Sequence, residues 1–392
     1  MKLKPGWRHV KLSDIAKIKS GSTPLRAEGE RYFSTAGTPW VKTLDLNNGE
    51  IISTDEKITD TALLETSCSV FPVGTVLVAM YGGFNQIGRT GLLTIPAAIN
   101  QALSGLILDR DKAEPAYILN YLNGNVKLWK KFAASSRKDP NITRDDVCGF
   151  PVLLPPLAEQ KKIAKILSTW DNAISVTEKL LANSQRQKKA LMQQLLTGQK
   201  RLLDENGVRF SGEWVYLTFD NAFIVANKKS TQVKSSDYLQ SGSIPIIDQG
   251  QSRIAGYCNN LEVYSDVPVI VFGDHTRCVK WIEFVFCPGA DGTQVIKTSK
   301  ILEPKLGYYL LSNTDIPNLG YSRHMRELKE KDFRLPLDIK EQQKIAAVLS
   351  AADAEISTLE KKLACLRDET KALMQQLLTG KRRVKVDEAV AE

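Results

Sequence analysis

The ten-residue stretch Lys189–Gly198, KALMQQLLTG, occurs a second time without any change at Lys371–Gly380. The two copies lie 182 residues apart, and when the alignment is extended back to Glu159 and Glu341 without a gap, 25 of 43 positions are identical. Chance does not produce such agreement, and the period is far longer than that of a solenoid repeat. The sequence therefore predicts a duplicated half-molecule.

Each copy of the repeat has the pattern of one long helix. In the second copy, mostly apolar residues between 345 and 377 recur in alternating four- and three-residue steps, which would place them on one face of a helix. The 163–195 segment of the first copy keeps the same spacing. Gly198 and Gly380 stand where a glycine is expected just beyond a helix C-terminus. We predict that the two helices pair within the chain as an antiparallel coiled coil with pseudo-twofold symmetry. The alternative is that each helix packs on its own domain or on another protein.

The segments that precede the helices predict globular domains of α+β class. Strand-like runs at 75–81 and 267–272 alternate with short helical runs at 115–122 and 306–311, whereas sequence similarity between the two segments is faint. The helices are thus near copies that carry diverged mixed α/β domains. The expected boundaries are a first domain at 1–153, a first helix at 154–200, a second domain at 201–335, a second helix at 336–383 and a tail at 384–392.

Composition places the chain among globular proteins. It has 392 residues, of which 43% are hydrophobic and 25% are charged, with no apolar run long enough for a transmembrane helix and no signal-peptide pattern after Met1. Six cysteines without a CxxC pair and only three histidines offer no clustered zinc ligands. We expect a cytoplasmic protein with reduced thiols and no bound metal.

Positive charge is concentrated in the first half of the chain. The net charge is +9, and residues 1–150 and 151–204 contribute +4 and +5 while the remainder is neutral. This excess favours a nucleic-acid partner, although many basic proteins bind no DNA.

Recurring motifs around the repeat resemble a known family, the specificity (S) subunits of type I restriction-modification systems. The residues that carry the resemblance are Leu154–Gln160 (LPPLAEQ) with Ile163 and Gly198, their counterparts Leu335-Pro336, Glu341-Gln342, Ile345 and Gly380, and the landmarks at 20–24 (SGSTP), 38–41 (TPWV), 100–101 (NQ) and 321–328 (YSRHMREL).

The resemblance implies a DNA-recognition subunit without catalytic activity of its own. Each globular domain would be a target recognition domain that reads half of a bipartite, asymmetric site in double-stranded DNA, and the helices would set the spacing and dock two methyltransferase (M) subunits. With the M subunits, the chain would form an adenine-N6 methyltransferase. Two ATP-dependent restriction (R) subunits would complete the endonuclease. S-adenosylmethionine, ATP and magnesium would bind only to these partner subunits.

Loops rich in Asn, Gln and basic residues are the candidate DNA contacts, because these side chains bind base edges and phosphates. The alternative is that they are ordinary solvated loops, and for His324 a core role. The candidates are Tyr81, Asn85, Gln86, Arg89, Arg137, Lys138, Asn141, Arg144, Gln249, Gln251, Arg253, His275, Arg277, Lys280, Arg323, His324 and Arg326.

Enzymatic motifs are incomplete in this sequence. The GFNQIGRT stretch at 83–90 has Arg where a phosphate-binding loop has Lys, and an extended segment follows it. Asp274 and Glu283 lack the E-x-K that a nuclease core would show, and no N-P-P-[YF] or D-P-P-[YF] tetrapeptide of an adenine methyltransferase occurs. The rival hypotheses are a stand-alone or fused methyltransferase or nuclease, and a structural coiled-coil adaptor.

Overall fold

The computed structural model describes residues 3–134, 141–318, 320 and 323–386. The chain divides into two compact units, one formed by Met1–Thr177 with Leu363–Glu392 and the other by Glu178–Lys362. Each unit therefore contains one globular segment together with parts of both repeat copies.

The first globular segment is a mixed α/β structure. Its strands are β1 (Arg8–Lys11), β2 (Ala16–Ser20), β3 (Phe33–Ser34), β4 (Thr38–Val41), β5 (Glu50–Ile51), β6 (Lys57–Ile58), β7 (Val76–Ala79), β8 (Thr90–Leu93), β9 (Ala98–Ile99), β10 (Leu103–Leu108) and β11 (Pro151–Leu154). Its helices are α1 (Leu12–Ile15), α2 (Asp60–Glu65), α3 (Pro115–Gly124), α4 (Val126–Ala134) and α5 (Arg144–Gly149). The first long helix, α6 (Leu157–Leu196), follows.

Three sheets organise this segment. The largest has the order β2-β10-β7-β8-β5, and only its edge strand β5 pairs in parallel, with β8. A four-stranded sheet has the order β3-β6-β4-β9, and β1 pairs with β11. All four residues of β7 are buried, as expected for a continuous apolar run in the middle of a sheet.

The second globular segment is built from a shorter set of elements. Its strands are β12 (Trp214–Thr218), β13 (Phe223–Val225), β14 (Ile244–Ile247), β15 (Gly256–Cys258), β16 (Val269–Gly273), β17 (Val279–Ile282), β18 (Cys287–Pro288), β19 (Thr293–Thr298) and β20 (Asp332–Pro336). Its helices are α7 (Phe219–Ala222), α8 (Pro304–Ser312) and α9 (Met325–Lys329), and the second long helix is α10 (Ile339–Leu378).

The two globular segments share one topology despite their faint sequence similarity. The order β13-β19-β16-β17 repeats β2-β10-β7-β8, β12 with β20 repeats β1 with β11, and the parallel pair β14 with β18 repeats β4 with β9. In the described residues, the main difference is at the sheet edge, where the first unit has β5 beyond β8 and the second has no strand beyond β17.

Both long helices contribute to the core of each unit. In the first unit, Ile163 and Leu167 of α6 and Leu377 of α10 belong to one cluster of buried side chains. In the second unit, Leu195 of α6 and Leu349 of α10 belong to the corresponding cluster. The start of one helix and the end of the other thus share a core in each unit.

A buried glutamine fastens the start of each long helix to its globular segment. The Gln160 side chain accepts the Glu114 N–H at 2.9 Å and donates to the carbonyls of Lys112 and Pro155. Gln342, 182 residues later, repeats this arrangement in the second unit and accepts the Glu303 N–H at 2.7 Å. Because Glu114 and Glu303 are the residues just before α3 and α8, each glutamine fixes a domain helix against a long helix.

Equivalent ion pairs join the two repeat copies within each unit. Arg383 binds both carboxylate oxygens of Glu159 at 2.8 Å in the first unit. Arg201 binds both oxygens of Glu341 at 2.5 and 2.7 Å in the second unit. Both glutamates are buried, so the bidentate guanidinium compensates for their loss of water.

Within the described residues, no helix combines the length and the apolarity that a membrane crossing requires.

Candidate nucleic-acid interface

In the first unit, the GFNQIGRT stretch forms a hairpin loop between β7 and β8. The Ala79 N–H donates to the Arg89 carbonyl at 2.9 Å, and the Gly88 N–H donates to the Ala79 carbonyl at 3.0 Å. Gly88 has a φ of +76°, and a Cβ there would lie 2.7 Å from the Trp129 ring. The loop is followed by a strand rather than a helix, so it lacks the geometry of a phosphate-binding loop.

Side chains of this hairpin loop differ in their exposure. Tyr81 and Asn85 are exposed, whereas Arg89 and Gln86 are half-buried. The Gln86 Oε1 atom is buried without a hydrogen-bond partner. Tyr81 and Asn85 are thus the candidates in this loop that are most open to a ligand.

A second segment of the first unit lies next to the hairpin. The Ile142 N–H donates to the carbonyl of Met80 at 2.9 Å, which places Asn141 beside the end of β7. Arg144 is exposed and its Nη2 donates to the Ile18 carbonyl at 3.1 Å. The candidates Arg137 and Lys138 lie outside the described residues.

In the second unit, hydrogen bonds bring three loops together. The Gln249 Oε1 accepts the His275 N–H at 3.1 Å, which joins the 248–253 loop to the 274–278 loop. The Asp274 carboxylate accepts the Met325 N–H at 2.7 Å, and the Asp274 carbonyl accepts the His324 N–H at 2.9 Å. These bonds gather most of the sequence-predicted residues of this unit.

The candidates of the second unit fall into three groups by exposure. Gln251, Arg253, Arg323 and Arg326 are exposed, and Gln249, His275 and Arg277 are half-buried. His324 has no accessible surface, and its Nδ1 lies 2.8 Å from the Asp274 carbonyl oxygen, which favours the core role that the sequence left open. Lys280 is 8% exposed.

Asp248 and Asp274 support these loops, a structural role that the sequence did not predict for them. Asp274 is buried and accepts hydrogen bonds from backbone N–H groups of the 324–325 segment, so it orients that loop. Asp248 lies 3.7 Å from the Lys280 Nζ. Burial lowers the pKa of Lys280, and the Asp248 carboxylate partly opposes this effect. The Asp-Gln-Gly turn at 248–250 was the only local signal for Asp248.

The described residues contain no group of three or more His, Cys, Asp and Glu side chains placed to hold a metal ion.

Comparison with known proteins matches residues 4–183 to the type I restriction modification DNA specificity domain. This segment contains the first globular structure, with its hairpin loop, and more than half of α6. By this match and by the relatives below, the chain is similar to the specificity subunits of type I restriction-modification systems.

Individual specificity subunits share this similarity along much of the chain. A Methanocaldococcus jannaschii protein assigned as the MjaX type I restriction enzyme specificity subunit is 27% identical over 341 residues, which cover 80% of this chain and 79% of that protein. The EcoR124I/EcoR124II specificity subunit of Escherichia coli is 23% identical over 175 residues, which cover 43% of this chain and 42% of the relative.

Solved structures share the fold of this chain. The crystal structure of an S subunit from M. genitalium matches with a TM-score of 0.64 at 15% identity, covering 96% of this chain and 98% of that one. A chain from a study of complex assembly and conformational transition in a type I restriction-modification system matches with a TM-score of 0.54 at 19% identity, covering 97% of this chain and 100% of that one.

Proposed function

We propose that each globular segment reads one half of a bipartite, asymmetric site in double-stranded DNA. The observation that carries this proposal is that two segments share one sheet topology while the loops that carry the candidate side chains differ in sequence. Two readers of the same construction but with different loops would recognise two different short sequences. Exposed Asn, Gln and Arg side chains in these loops suit contacts with base edges and phosphates.

The long helices, in this proposal, pair as an antiparallel coiled coil that sets the distance between the half-sites. Support comes from the cores, in which the start of one helix packs with the end of the other. In the second unit, Lys188 of α6 forms an ion pair with Asp353 of α10, and the Ser184 hydroxyl donates to the Glu355 carboxylate at 2.9 Å. These polar contacts between the helices favour one register.

The repeated helix surface would dock two copies of the same partner, the methyltransferase subunit. Lys189, Ala190, Gln193 and Gln194 are exposed on α6, and the four residues at the matching positions of α10 are identical and also exposed. Packing inside the chain does not explain identity at exposed positions, whereas a partner that binds both copies would. The proposed complex also contains restriction subunits.

Chemistry in this complex would belong to the partners. The chain would orient DNA, and S-adenosylmethionine, ATP and magnesium would bind to the methyltransferase and restriction subunits. The purified chain alone should therefore neither methylate nor cleave DNA, and either activity without partners would favour the enzyme hypothesis.

A domain exchange tests the division into two readers. Residues 1–150 are replaced by the corresponding segment of another specificity subunit, and methylated adenines are mapped in cells that carry the complex. We expect one half-site to change while the other half-site stays the same. A change in both half-sites, or in neither, would contradict the proposal.

A further inference from the structure

Lys280 of β17 is a lysine whose side chain points into the second unit rather than into solvent. Its Nζ donates to the backbone carbonyls of Asp248 and Ser252 at 2.7 and 2.6 Å, and it lies 3.7 Å from the Asp248 carboxylate. The two carbonyls accept two of the three N–H groups of the ammonium, and the nearby carboxylate balances its charge. The lysine thus spans both ends of the 248–252 segment.

Burial of an ammonium is costly unless it is well paired, so this arrangement requires a compensating structure. Here the compensation comes mainly from main-chain carbonyls of one loop. A charged donor held between two carbonyls constrains that loop more strongly than a neutral hydrogen bond would.

The first unit has a glycine at the strand position that corresponds to Lys280. At its matching strand pair, β8 places Gly91 opposite Leu77 of β7, as β17 places Lys280 opposite Val271 of β16. A Cβ at Gly91 would lie 2.9 Å from side-chain atoms of Ile51 and Leu46, so the β5 segment occupies this space.

In the second unit, no described strand pairs with the outer edge of β17. Lys280 stands at the register position of Gly91, and its ammonium binds the 248–253 loop.

This loop carries two of the exposed side chains that the second unit would offer to DNA. Gln251 and Arg253 are exposed, and Gln249 connects the loop to His275 through a hydrogen bond. Asp274, the next residue towards β16, in turn holds the segment that begins at His324. A change in the shape of the 248–253 loop would therefore reach the other two loops.

We propose that Lys280 is a positioning residue for DNA recognition, which holds the 248–253 loop in the conformation that reads the second half-site. The inference rests on the proposed function of the two globular segments. Lys280 acts through Gln249, Gln251 and Arg253. It contacts neither bases nor phosphates itself, because its side chain is buried and two of its three donors bind loop carbonyls.

The test uses the full-length chain assembled with the methyltransferase subunits of its own system. Lys280→Met keeps the approximate length of the side chain but removes its charge and donors. Affinity is measured for DNA with the intact site, with a changed first half-site, with a changed second half-site and with neither half-site, over a range of salt concentrations. Lys300→Met, at an exposed lysine of the same unit, is the matched control.

We expect Lys280→Met to reduce the preference for the correct second half-site about tenfold, the discrimination that one good base contact provides. The preference for the first half-site and the salt dependence of binding should stay as in the unmodified complex. A direct phosphate contact would instead weaken binding to every DNA and lower the slope of log K against log salt by about 1.

Two further measurements keep the inference testable if Lys280→Met folds poorly. Lys280→Gln retains an amide group that can donate hydrogen bonds, so it should show a smaller loss of preference for the second half-site. Hydrogen exchange of the backbone amides in the 248–253 loop should increase in both variants. Unchanged second-site preference in a folded variant would overturn the role of Lys280. If the unmodified complex shows no preference for either half-site, the proposed function itself fails.

Discussion

Arg323 is an exposed side chain in the loop that Asp274 holds, and it is absent from the ion pairs described within the second unit. Arginine is the side chain that most often contacts guanine specifically, and it also binds phosphates. We predict that Arg323→Ala weakens binding of the complex to its site by about 1–3 kcal/mol if the arginine contacts a base. Titrations at fixed salt measure this change, with Arg209→Ala, at another exposed arginine of the unit, as the control. Equal affinity would remove Arg323 from the interface.

Glu56 provides a pH-dependent contribution to the stability of the first unit. The Arg26 guanidinium, at 2.6 Å, and the Lys42 ammonium, at 2.5 Å, hold the pKa of the Glu56 carboxyl below its ordinary value. A carboxyl with a lowered folded-state pKa stabilises the fold above its unfolded pKa, and this contribution is lost as the pH falls through the folded pKa.

The corresponding variant is Glu56→Gln. We predict that it is less stable than the unmodified chain at pH 7, and that the difference decreases below about pH 4, near the ordinary pKa of glutamate. Urea denaturation at several pH values measures this difference in the free energy of unfolding. A difference that is independent of pH would contradict the assigned cause.

Local sequence patterns do not reveal contacts between residues that lie far apart in the sequence. Lys280 and His324 were predicted as DNA contacts because their neighbours are polar and basic, yet both are buried. Their partners, Asp248 and Asp274, lie 32 and 50 residues away, so only the folded chain brings them together. Exposed candidates such as Arg253 and Arg323 depend less on such distant partners.

At the level of elements, Gln160 connects α6 to the start of α3. We predict that Gln160→Leu destabilises the first unit by about 1–3 kcal/mol, because the Glu114 N–H loses its acceptor inside the protein. Thermal or urea unfolding measures the loss. Gln185→Leu, at an exposed position of α6, is the control and should change stability little. Equal effects from both variants would exclude a specific role of the buried amide.

Helix length should determine the gap between the half-sites. We predict that duplicating residues 171–177 in α6 and 353–359 in α10 lengthens the unread spacer by about 3 base pairs, since seven helical residues add about 10 Å and each base pair rises about 3.4 Å. Mapping of methylated adenines would detect the new spacing. A changed half-site sequence with an unchanged spacer would show that the helices do not set the gap.

The long helices were predictable from sequence because their pattern is local and repeated. The first long helix, expected within 154–200, is α6 at Leu157–Leu196. The short runs at 115–122 and 306–311 likewise coincide with α3 and α8. The strand-like run at 267–272 overlaps β16, which spans Val269–Gly273.

At the scale of the whole molecule, the common topology of the two globular segments was hidden from sequence comparison. Sheet order depends on pairing between distant strands, such as β2 with β10 and β13 with β19, and many different apolar residues satisfy the same pairing. The duplication therefore extends beyond the similar helices to the globular segments themselves. Recognition of two different half-sites would require loops that differ in sequence on a shared sheet topology.

The central claim is that this chain directs a complex to a DNA site of two separated parts. Sequencing that detects methylated adenines, in otherwise identical cells with and without the chain, tests it most directly. We predict a bipartite methylated motif with an unread spacer that disappears when the chain is deleted and returns when it is restored. Persistence of the motif without the chain would contradict the account.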